Sequence, residues 1–115
     1  MNKVNEQINV EEITKGCRVM DVNDVLSLLQ SNINVWWSWG PHALTKTKDD
    51  RMVRFAVNGN HHRGHVYIFV NGSDLFDVYF TTSKGTIKEI KTELYFDMLR
   101  DAIDRYVEYI PDYQY

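Results

Sequence analysis

Residues 51–91 read RMVRFAVNGN HHRGHVYIFV NGSDLFDVYF TTSKGTIKEI K, and this stretch decides the fold. Asn58-Gly59, Asn71-Gly72 and Lys84-Gly85 recur at a step of thirteen, with apolar and polar residues alternating between them. Turn dipeptides between alternating runs are the strongest short-range signal for β-hairpins. The spacing predicts an antiparallel meander with strands at 51–57, 65–70 and 75–82, and a further strand at 86–91. Side chains alternate across a strand, so Val53, Phe55, Val57, Val66, Ile68, Val70, Phe76, Val78 and Phe80 form one apolar face. Ile87 and Ile90 fall out of step with that parity.

Working toward the N-terminus, residues 42–50 hold only Ala43 and Leu44 as apolar residues and read as an exposed loop. Val35-Trp36-Trp37-Ser38-Trp39 reads as a strand closed by Gly40-Pro41. Asp21 is an N-cap for a helix over 21–30 carrying Val22, Val25, Leu26, Leu28 and Leu29, with Asn32 as its stop. Asn9 and Glu12 have capping-box spacing, and Gly16 would close a short helical turn. Residues 1–8 are polar and unpatterned, which predicts a mobile end. Toward the C-terminus, Thr92 caps a final helix with Glu93 in its first turn. Phe96, Leu99, Ile103, Val107 and Ile110 form its apolar stripe, and Pro111 ends it. The expected fold class is α+β: an antiparallel four- to five-stranded meander sheet, an N-terminal helix, and a C-terminal helix packed on one sheet face. All of 1–115 is expected to form one small domain.

Composition bounds the function. At 115 residues the chain can bury roughly two thirds of its unfolded surface, enough for one core without staples. Hydrophobic content of 43% with 25% charged residues excludes wholesale disorder, and 13% aromatics suits a sheet with a contact face. Cys17 is the one cysteine, so no internal disulfide forms and a reducing, cytoplasmic compartment is expected. No N-terminal apolar run and no 18-residue apolar stretch appear, so neither a leader nor a membrane partner is expected. The net charge of −3 is unevenly spread. Residues 42–65 carry Lys46, Lys48, Arg51, Arg54 and Arg63 against Asp49 and Asp50, a segment of net +3 that leaves −6 elsewhere.

The second sheet face gathers chemistry. Arg54 with Met52 and Ala56, His65 and Tyr67 with Phe69, and Asp77 with Tyr79 share its parity. Arg54, His65, Tyr67, Asp77 and Tyr79 are therefore candidate partner-binding residues. The competing readings are a solvated face and one covered by the N-terminal helix. Trp36 and Trp37 are further candidates, because a strand places indoles on both its sides. Such a strand is also a candidate sheet edge for a homodimer.

Chemical motifs are sparse. His61-His62-Arg63-Gly64-His65 suggests metal binding, but an exposed polar turn explains it better, and no metal or cofactor is expected. The basic segment beside the tryptophans offers a nucleic-acid alternative. Asp77 followed by Glu89-Ile90-Lys91 has the form of a nuclease D…ExK hairpin, a remote Mg²⁺-dependent alternative. No nucleophile triad, phosphate-binding glycine loop or CxxC pair is present. The expected function is that of a small non-enzymatic cytosolic binding or adaptor protein with a protein partner. Its size suits an accessory protein of a bacterial mobile element or phage.

Overall fold

Period-two alternation pairs the central strands as the sequence predicts. In the computed structural model, which describes residues 3–108, β1 (His42–Lys46), β2 (Met52–Asn58), β3 (Arg63–Val70), β4 (Phe76–Thr81) and β5 (Ile87–Leu94) form one antiparallel sheet in sequence order. Phe55, Val66 and Phe80 lie in one cross-strand row, and Val53, Ile68 and Val78 in another. All nine residues of the predicted apolar face are buried in one cluster. Helices α2 (Val22–Gln30), α3 (Ile33–Ser38) and α4 (Leu99–Val107) cover that face with Val25, Leu29, Trp36, Leu99, Ile103 and Val107, joined by Trp39 just past α3. A short α1 (Val10–Thr14), capped by Asn9 accepting from the Glu12 amide, lies on the other side.

The tryptophan segment is helical, not a strand. Asn32, expected only to stop α2, is the N-cap of α3 and accepts from the Val35 amide at 3.3 Å. Helical geometry puts residues three apart on one side, so Trp36 and Trp39 both enter the core while Trp37 remains 65% exposed. Trp39 stacks on Phe55 at 6.2 Å, and its Nε1 donates to Asp104 Oδ1 on α4 at 2.9 Å. A strand would have had to bury indoles on both its sides.

The predicted loop over 42–50 is instead half strand. β1 pairs with β2, with a bulge between His42 and Thr45 where Ala43 takes φ +54°. As an edge strand with four of five residues exposed, it needs little apolar content, which is why the segment reads as loop. The free sheet edge is therefore β1 and not the tryptophan segment.

At the other edge, β5 carries two register shifts against β4. The shift between Thr81 and Phe80 sets Ile87 opposite Thr81 with Ile90 opposite Tyr79, so both isoleucines face the second side despite their odd spacing. The strand runs on through Thr92 and Glu93, so neither caps a helix. A 3₁₀ turn at Phe96–Met98 leads into α4 without a side-chain cap, and Phe96 is 43% exposed. Ile110 and Pro111 lie outside the described residues. The predicted mobile end is tied down where it is described. Asn5 N donates to Ile87 O, Ile87 N to Glu6 O, and Ile8 N to Gly85 O, which pairs otherwise open backbone of β5.

Candidate functional site

The second face divides into a covered and an open part. α1 and its flanks lay Ile8, Val10, Ile13 and Cys17 against a cluster of Met52, Tyr67, Phe69, Tyr79, Ile87 and Ile90, with Tyr67 at its margin toward Arg54. Arg51 Nη1 fastens this cover by donating to the carbonyls of Thr14 and Cys17 at 3.4 and 3.3 Å. Cys17 Sγ donates to Ile13 O, and burial, then the Asp77 charge, raises the thiol pKa against a smaller opposing pull from Arg51. The thiol is held protonated, the opposite of an activated nucleophile. Burial and Asp77 likewise push the Tyr79 phenol up. Asp77 itself is occupied: one carboxylate oxygen accepts from Asn71 Nδ2 at 2.9 Å and from the Glu93 amide at 3.0 Å. It ties the β3–β4 turn to the β5 bulge, where Glu93 takes φ +58°.

Beyond α1 lie two cross-strand rows from β1, β2 and β3: Thr45–Arg54–Tyr67 and His42–Ala56–His65. The Arg54 guanidinium carbon sits 6.0 Å from the Tyr67 ring centroid, and the His65 ring meets the same tyrosine edge-on at 6.2 Å. Tyr67 is 5% exposed, with the Arg54 guanidinium and the His65 imidazole both against its ring. Arg54 Nε and His65 Nδ1 are both buried without a hydrogen-bond partner. The His65 pKa is lowered, first by burial and then by the charges of Arg54 and His42. Ion pairs among the described residues join Lys15–Glu12, Lys46–Asp50, Arg51–Asp49, Lys91–Glu89 and Arg100–Asp101, none of them involving Arg54.

The structure thus brings together Arg54, His65 and Tyr67, sets Tyr79 directly across from Tyr67 and Asp77 opposite Phe69, buries Trp36 in the core and exposes Trp37. His42 joins the group unpredicted. Its place depends on the β1–β2 pairing and the bulge at Ala43, for which the sequence carries no signal.

The alternative chemistries are dispersed. Glu89 and Lys91 lie opposite Phe80 and Val78, on the helix-covered face, while Asp77 lies on the other. The Tyr106 phenol of α4, raised by burial and then by Glu89, marks the same side for that carboxylate. The D…ExK residues therefore do not converge. His62 is not in an exposed turn: it is 7% exposed, with its ring against Phe80 and Tyr106 at 5.8 and 5.2 Å. No group of three or more metal-binding side chains forms among the described residues. Of the basic segment, Lys46 and Arg51 pair with Asp50 and Asp49, and two of the three indoles are buried. No described helix is long and apolar enough to cross a membrane. No protein-family model, no curated protein and no solved structure matches the chain.

Proposed function

We propose that this chain is a non-enzymatic binding domain that captures a protein partner through Trp37. The observation that carries this reading is an indole 65% exposed beside two buried ones, with Ile33 48% exposed one turn before it on α3. A folded chain gains by burying such a side chain, and a large rigid aromatic left outside is the type of residue that dominates protein interfaces. The open edge of β1, which follows α3 directly, offers backbone groups to the same partner. A lone, partly buried cysteine held protonated is compatible with work in the cytoplasm.

Affinity capture from the native cell tests the reading, with wild type, Trp37→Ala and Ile33→Ser as baits. The expected result is one stoichiometric partner retained by wild type and lost by Trp37→Ala at an unchanged melting temperature. Equal retention by both would refute it. Sedimentation at several concentrations identifies the other outcome, in which the surface is buried by a second copy of the chain.

A further inference from the structure

The open end of the second face has what an anion site needs and lacks the anion's usual competitor. A buried donor without an acceptor is costly, and native structures rarely leave one without a reason. Here Arg54 Nε is such a donor, and on the neighbouring strand the ring nitrogen His65 Nδ1 is also buried without a partner; both side chains border the Tyr67 ring. Ala56, itself buried, lies between His42 and His65 in its row and brings only a methyl group between the two imidazoles. His42 Nδ1 is 2.8 Å from Gly40 O. That carbonyl can only accept, so Nδ1 carries the proton and Nε2 is left to face solvent. No acid stands in the two rows: their members are Thr45, Arg54 and Tyr67, and His42, Ala56 and His65.

We infer that Arg54, His65 and His42 form a phosphate-binding site over Ala56, taking a phosphate monoester or free phosphate between β1, β2 and β3. A tetrahedral oxyanion offers acceptors in several directions, which suits the Arg54 guanidinium together with two imidazoles that donate from their second nitrogen once protonated. A planar carboxylate satisfies one fork. The groups facing His65 are Arg54 from β2, His42 from β1, and Tyr67 and His62 from its own chain segment, with neutral Thr81 opposite on β4. None is an acid, so the empty site resists protonation of His65 and an arriving phosphate reverses that. This site lies on the opposite side of the sheet from the α3 packing surface, so it stands or fails independently of Trp37.

The test is an NMR titration of the full chain with inorganic phosphate, following the Arg54 Nε–H and the ring signals of His42 and His65. The expected result is saturable movement of all three, a rise of about one unit in the His65 midpoint, and loss of saturation in Arg54→Gln with the amide spectrum otherwise intact. His65→Gln serves as the second variant should Arg54→Gln not fold, and it too is expected to abolish saturation. Sodium acetate at matched ionic strength separates the anion classes, and a glycerol phosphate arm separates an ester from the free ion. Linear shifts equal to those produced by chloride would overturn the site. Saturation that survives in a folded variant would also overturn it, and equal affinity for acetate would overturn its assignment to phosphate.

Discussion

His62 packs its ring between Phe80 and Tyr106, and burial lowers its pKa from the ordinary value of 6.5 more than its contacts with the His65 and Thr81 backbone raise it. His65 is shifted the same way. The unfolded chain therefore binds more protons than the folded one once pH drops below about 6.5. Both histidines contribute full stability above that pH, and the contribution falls as pH descends toward their folded values. Urea midpoints are expected to decrease between pH 7.5 and 5.5, and His62→Phe, which keeps an aromatic ring there, is expected to shrink that decrease. An unchanged pH slope in the variant would show that His62 is solvated. Gly59 is required by packing and not by its backbone angle. Its dipeptide with Asn58 correctly marks a turn, yet Gly59 has no positive φ. An added Cβ would instead lie 2.5 Å from Cγ1 and the carbonyl oxygen of Val107, where the turn approaches the end of α4. At Gly85, φ +90° shows the conformational freedom that turn glycines usually supply.

At the scale of elements, short segments take their conformation from what they bury. α3 is six residues long, too short to be helical by propensity alone. It is held by the Asn32 cap and by Trp36 and Trp39 packed on Phe55. Asn32→Ala is expected to cost about 1 kcal/mol in chemical denaturation, with the near-ultraviolet dichroism of the tryptophans retained. A silent substitution would mean that packing alone sets the helix. In the sequence, a five-residue apolar run cannot be told from a strand by period, so the tryptophan segment was illegible in isolation. β5 was legible as a strand but not in its facing, because a bulge opposite Thr81 and Phe80 resets the parity of Ile87 against Ile90. A second bulge, at Glu93, is held by Asp77 accepting from the Glu93 amide across the strands.

Over the whole molecule the sheet is sandwiched unevenly. Three helices seal one face, and the other is sealed by α1 only in part, over β3–β5 and Met52 at the start of β2. A chain lacking residues 1–17 would uncover Phe69, Tyr79 and Ile87. It is expected to bind a hydrophobic dye and to melt at lower temperature, since covering each such side chain contributes roughly 1.5–3 kcal/mol. Melting at the wild-type temperature would show that the N-terminal cover is dispensable. The same unevenness leaves Arg54 and His65 outside the α1 cover while Tyr79 lies beneath it. Parity alone could place all three on one face, but not divide them.

Strand alternation, the turn positions, the α2 cap and the α4 stripe were readable from the chain itself. A side chain's direction in a regular element follows from the backbone geometry of its immediate neighbours. Tertiary structure decided the helical state of the tryptophan segment, the pairing of β1, the bulges of β5 and the partial cover by α1. In each of these the local preference is weak, and the outcome rests on burial and hydrogen bonding between residues far apart in sequence.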